Sequence, residues 1–130
     1  MNKKEALYAL RILKRSETWG DNMGSTKIKN LTESNFAQTV GEENSSAVVE
    51  FYADWCKPCQ KFANTFSKAA EQYSNIGFYR VNADEEFLLA ATFKAVILPT
   101  VIYIKNGVVK DVTEGNISDT EFSERIEKLL

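Results

Sequence analysis

The run Ala47-Val48-Val49-Glu50-Phe51-Tyr52-Ala53 constrains this chain more than any other stretch. Six of its seven side chains are apolar or aromatic and they do not alternate with polar ones, so neither face of the strand they form can meet water. A strand buried on both faces lies inside a sheet, with strands on both edges and helices above and below. The adjoining stretch narrows the field further. "DWCKPCQKF", Asp54 to Phe62, holds the only two cysteines of the chain, three residues apart, where a helix is due to begin.

The pattern on either side continues the alternation of strand and helix. Lys27 to Leu31 reads as a short strand, and Thr32 as the N-cap of a helix from Glu33 to about Val40. After the central strand, Phe62, Phe66, Ala69, Ala70 and Tyr73 recur at helical spacing, which predicts a helix from about Cys56 to about Tyr73. Gly77 to Ala83 is the next strand. Asp84 to Lys94 is the next helix, its acids set at the positive end of the helix dipole. Pro99 opens a strand over 100–105, and Asn106-Gly107 signals a tight hairpin into Val108 to Glu114. Gly115 ends that strand, and Ser118 caps a closing amphipathic helix. The order β-α-β-α-β-α-β-β-α predicts an α/β domain with a mixed central sheet and helices on both faces.

At 130 residues one domain is expected. Residues 1–26 stand apart from it. "KKEALYALRILKR" has helical periodicity, with Lys4, Arg11, Lys14 and Arg15 on one face and Ala6, Ala9, Leu10, Ile12 and Leu13 opposite. The polar stretch from Ser16 to Thr26 reads as a linker, which leaves 27–130 as the domain. The first 15 residues carry five cations against Glu5, a charge of +4, so the formal total of −2 conceals −6 on the remainder. That balance offers no basis for nucleic-acid binding. No apolar run is long enough to span a membrane, and Arg11 interrupts what otherwise resembles a signal sequence, so a cytoplasmic protein is expected.

The chain has no histidine. Imidazole catalysis and histidine-containing metal sites are thereby excluded. A structural zinc site needs four ligands and the chain has two cysteines, so no metal is expected. Inert core thiols sit poorly with Trp55, Lys57 and Pro58 around them. A redox pair fits. A strand ending at Ala53 delivers Cys56 to the first turn of a helix, where unpaired N–H groups and the dipole stabilise a thiolate. Pro58 is tolerated there because its missing N–H has no partner to lose. Cys59 falls one turn on and faces the same side.

"VVEFYADWCKPC", "LPT" about forty residues after Cys59, "KNG" and a later "EG" together resemble the thioredoxin family, over about Lys27 to Leu130. The resemblance implies the thioredoxin fold, a three-layer α/β/α sandwich, with Cys56 as an exposed nucleophile and Cys59 as a buried resolving thiol. It implies a cis Leu98–Pro99 peptide beside the disulfide, and a site shaped by Trp55, Lys57, Pro58, Leu98, Pro99, Thr100 and Gly115. Glu50 stands where the family has a buried aspartate that relays a proton to the resolving thiol, and Arg80, in a position often held by lysine, is its candidate partner. The implied activity is reduction of protein disulfides by dithiol–disulfide exchange, without a bound cofactor. The implied partners are a thioredoxin reductase or equivalent electron donor and disulfide-containing clients, met by a monomer. The rival functions are a disulfide-forming oxidase or isomerase, and a scaffold on the same fold. Two departures matter. Lys57 replaces the usual glycine, and Ala95, Val96, Ile97 and Leu98 are all apolar where glycine and a charged or polar residue are usual. Val96 and Ile97 then either line an apolar rim with Trp55 or turn inward.

Overall fold

The computed structural model describes residues 27–130. The basic amphipathic segment and linker expected at 1–26 lie outside them. The element order matches the sequence pattern: β1 (Ile28–Asn30), α1 (Phe36–Val40), β2 (Ser46–Tyr52), α2 (Lys57–Gln72), β3 (Gly77–Asn82), α3 (Phe87–Thr92), β4 (Thr100–Lys105), β5 (Val108–Glu114) and α4 (Asp119–Glu127). The strands form one sheet in the order β1-β3-β2-β4-β5. β3 runs parallel to β1 and β2, whereas β4 runs antiparallel to both β2 and β5.

β2 is central because its sequence allows nothing else: the five residues from Ala47 to Phe51 are buried. Successive side chains take opposite faces of the sheet. Ala47, Val49 and Phe51 join Phe36, Val40, Leu89 and Phe93 on the side covered by α1 and α3. Val48 joins Phe62, Phe66, Phe122 and Ile126 on the side covered by α2 and α4. The second layer is an aromatic one. Phe122 meets Phe62 with ring centroids 5.0 Å apart and Phe66 at 5.8 Å, while Phe66 meets Phe78 edge-on at 5.5 Å. Tyr103 is buried in the same layer and shares a 2.9 Å hydrogen bond with Thr113, which satisfies both hydroxyls.

Two helices begin later than their sequences suggest, for a shared reason. Thr32 does not cap α1. Residues 32–35 form a turn in which the Thr32 carbonyl accepts from the N–H groups of Asn35 and Phe36, and Asn35 occupies the N-cap position. α3 starts at Phe87, because Asn82 Oδ1 accepts from the N–H groups of Asp84 and Glu85 and closes a turn there. The two starts are tied to each other. Glu33 N–H donates to Glu86 Oε1 at 2.8 Å, and Leu88 N–H donates to Glu33 Oε2 at 3.0 Å. The carboxylate at the positive end of α3 therefore comes from Glu33 and not from α3's own approach.

The geometry of β4 places the far end of the chain at the end of β2. Thr100 pairs with Phe51 on one side and Glu114 on the other, so Pro99, Tyr52 and Gly115 gather at one end of the sheet. At the opposite end, Asn106 and Gly107 take φ of 55° and 76°, the left-handed turn expected of Asn-Gly. Asn106 N–H donates to the Ser45 carbonyl at 2.7 Å, locking this hairpin to the loop before β2.

A Cβ on Gly107 lies only 2.6 Å from the Gly41 carbonyl oxygen, and its φ is in the left-handed region. Gly107→Ala is expected to destabilise the domain by about 2 kcal/mol or more. The check is a lowered urea midpoint at unchanged m-value.

Candidate active site

Cys56 is the N-cap of α2 and Cys59 lies in its first turn. The two are joined by a disulfide, with Cα atoms 5.3 Å apart. Cys56 Sγ accepts from Cys59 N–H at 3.1 Å, so one of the orphan donors of the helix terminus is directed at the sulfur. Pro58 sits in the first turn without penalty, as expected. One expectation fails. Cys56 is not exposed: it and Cys59 are each 2% accessible. The reason is packing. The pair forms a small apolar cluster with Ala53, against which Tyr52 and Leu98 rest. Lys57 and Pro58 are exposed beside it.

The Leu98–Pro99 peptide is cis. Pro99 and Thr100 are buried, and the Thr100 hydroxyl donates to the Ile97 carbonyl at 2.5 Å. Gly115, at φ 82°, donates its N–H to the Pro99 carbonyl at 2.8 Å, so it braces the proline loop from behind. Val96 and Ile97 point out to solvent, with 85% and 55% of their surface exposed, so neither turns inward. Trp55 is also exposed, at 67%, and its indole Nε1 donates to Asp84 Oδ2 at 2.9 Å. No local signal in the sequence links Asp84 to Trp55, because the contact spans 29 residues.

Glu50 is completely buried at the middle of β2, on the side of the sheet that faces α2. Its cross-strand neighbour Arg80 donates from Nε to Glu50 Oε1 at 3.2 Å. The same guanidinium lies over the ring of Tyr52, 3.6 Å from its centroid. Glu50 Oε2 is buried with no hydrogen-bond partner. Desolvation outweighs the attraction of Arg80 and raises the Glu50 pKa from 4.5 to about 7. A carboxyl so placed exchanges a proton near neutral pH. The order of contacts is continuous: Arg80 meets Glu50 and Tyr52, and Tyr52 rests on the cysteine cluster.

The described residues thus bring together Cys56, Cys59, Ala53, Tyr52 and Leu98, and Glu50 is linked to this cluster only through Arg80 and Tyr52. A separate 570 Å³ groove between β5 and α4, lined by Lys110, Glu124 and Lys128 among others, shares no residue with them.

A family model described as thioredoxin matches residues 27–128. Thioredoxin-2 of Saccharomyces cerevisiae is 38% identical over 88 residues, covering 68% of this chain and 81% of that protein. The chloroplastic M-type thioredoxin of Spinacia oleracea is 30% identical over 80% of this chain, which spans 58% of that relative's length. Among solved structures, oxidised mitochondrial thioredoxin 3 of Saccharomyces cerevisiae superposes with a TM-score of 0.72 at 25% identity, over 78% of this chain and 95% of that one. The match runs from before β1 to beyond α4, and a Cys-x-x-Cys disulfide capping α2 lies within it. The chain belongs to the thioredoxin family of dithiol–disulfide oxidoreductases.

Proposed function

We propose that this protein reduces disulfides of client proteins in the cytoplasm, acting as a monomer re-reduced by a thioredoxin reductase or an equivalent electron donor. The observation that carries the reading is a Cys56–Cys59 disulfide at a helix N-terminus, set against the loop of the cis Pro99. Among the described residues no helix is long and apolar enough to cross a membrane.

In the reduced protein the Cys56 thiolate attacks one sulfur of the client disulfide. A mixed disulfide forms and the client's other sulfur leaves as a thiolate, which takes up a proton. Glu50 then accepts the proton of Cys59. The Cys59 thiolate attacks Cys56 Sγ, the second client sulfur leaves reduced, and the Cys56–Cys59 bond is restored. Two electrons pass to the client, and the reductase returns them. Support for the two roles is geometric. The N-terminus of α2 aims an N–H at Cys56, while Glu50 is buried with one carboxylate oxygen uncommitted. Trp55, Lys57, Pro58, Leu98, Thr100 and Gly115 shape the approach.

Equilibration in glutathione buffers, with insulin reduction measured in parallel, tests the direction of the reaction. A midpoint below about −220 mV is expected, and one above about −180 mV belongs to an oxidase or isomerase. Cys56→Ser is expected to lose insulin reduction by at least about 10³-fold. Cys59→Ser is expected to accumulate the mixed disulfide, visible as a client adduct on non-reducing gels. Retained physiological activity in the double Cys56→Ser, Cys59→Ser variant would favour a scaffold.

Glu50 also makes stability depend on pH. The folded protein holds this proton up to about pH 7, whereas an unfolded glutamate releases it near 4.5. Its contribution is therefore greatest below pH 4.5 and is lost as pH rises through about 7, amounting to about 3 kcal/mol over the window. Glu50→Gln is expected to flatten that decline in urea titrations between pH 4.5 and 7.5. It is also expected to slow release from the mixed disulfide by about 10²-fold at neutral pH.

A further inference from the structure

Phe87, Leu88 and Ala91 share the outer face of α3 and are exposed, whereas Leu89 and Phe93 turn into the core. Phe87 leaves 66% of its surface in water and Leu88 49%, on a helix of six residues. The start of this helix is acidic. Asp84, Glu85 and Glu86 precede Phe87, and Glu33 is fastened to the same place. Its N–H donates to Glu86 Oε1 at 2.8 Å, and its Oε2 accepts from the Leu88 N–H at 3.0 Å. The salt bridges among the described residues engage none of these four carboxylates. An apolar face that ends in acids without a paired cation selects a partner that is apolar and basic at once.

The chain itself carries such a sequence. Residues 1–15 sum to +4 against −6 on the remainder. Ala6, Ala9, Leu10 and Leu13 recur at helical spacing, and Lys4, Arg11, Lys14 and Arg15 fall on the other side of that period. Residues 16–26 tether this segment to Lys27, from which Glu33 lies six residues on. Six residues of chain reach at most about 20 Å. The tether spans about 18 Å on average and up to about 37 Å when extended, so the start of α3 is within range. A tether of that length holds its free end at about millimolar effective concentration, which outcompetes a second copy at about micromolar.

We propose that the outer face of α3 is the docking surface for residues 1–15 of the same chain. Leu10 and Leu13 cover Phe87, Leu88 and Ala91, and the lysines of the segment meet the acids at the start of the helix. Charge sign and tether length together decide the occupant. No cysteine takes part, so the inference goes beyond the redox reading and stands independently of it.

The test uses the full chain, mixed as isotope-labelled and unlabelled protein. Carbodiimide coupling followed by peptide mass mapping is expected to join Lys3, Lys4 or Lys14 to Asp84, Glu85 or Glu86, both peptides carrying the same isotope. Tryptic cleavage after Lys14 and Arg15 is expected to run about tenfold slower than in a free peptide of residues 1–26. Leu10→Ser, Leu13→Ser is expected to abolish that protection relative to its own free peptide, and Phe87→Ser, Leu88→Ser to do the same from the other side. Should the second pair fail to fold by circular dichroism, Glu85→Lys on exposed ground replaces it, with protection reduced about threefold. Salt at about 0.5 M is expected to weaken protection, since it screens the charge pairs. Cleavage as fast as in the free peptide, or protection untouched by the changes on α3, overturns the proposal. So do couplings found only between unlike isotopes, which make the occupant a second copy. Protection that arises only when phosphatidylglycerol vesicles are added overturns it too, because the segment then seeks a membrane.

Discussion

The antiparallel pairing of β4 with β2 is the constraint on which the rest of the molecule depends. Strand β2 delivers Tyr52 and then Cys56 at its C-terminal end, and β4 begins at that same end because it runs the other way, with Thr100 opposite Phe51. A parallel β4 sends its leading proline loop to the opposite end of the sheet. The hairpin into β5 then returns the chain, so that Gly115 braces the Pro99 carbonyl. Three segments distant in sequence thereby meet at one sheet end, with the disulfide among them. Burial of β2 on both faces keeps it in the interior of the sheet, between β3 and β4.

The same burial gives Glu50 its character. A carboxylate in the interior of a sheet loses far more hydration than one neighbouring cation returns. Arg80 returns only part of it, meeting one carboxylate oxygen through Nε and sharing its guanidinium with the Tyr52 ring. The balance leaves a proton bound until about pH 7. A well-packed apolar residue here is more stable in principle, so the acid is a cost in stability.

Helix α3 shows the other side of that trade. At six residues it is too short to persist alone, and its N-terminus is held by Glu33, 55 residues away. Trp55, through Asp84, and the Leu98 contact with the cysteine cluster fasten the flanking turns. The framework commits long-range hydrogen bonds to a segment whose outer face is apolar and unsatisfied in water.

Much of this was legible in the amino-acid sequence, because it depends on near neighbours. The unbroken apolar run announces a doubly covered strand. The Cys-x-x-Cys spacing places both sulfurs on one helical turn, Asn106-Gly107 dictates its hairpin, and Ser118 caps α4 through the N–H of Glu121 as its position implies. The absence of histidine leaves the chemistry to cysteine, carboxylates, lysine, tyrosine and backbone groups. What the sequence could not decide was whatever depends on which residues face each other across the fold. The tie between the starts of α1 and α3 follows from Glu33 meeting Glu86 and Leu88, the anchoring of Trp55 from Asp84, and the burial of Cys56 from Tyr52, Ala53 and Leu98 packing around it. The outward turn of Val96 and Ile97 was likewise open, since an apolar pair after a helix reads equally as core or as surface. Local chemistry determines the elements and the reactive pair; only close packing, which brings distant residues within hydrogen-bonding range, decides which groups surround them.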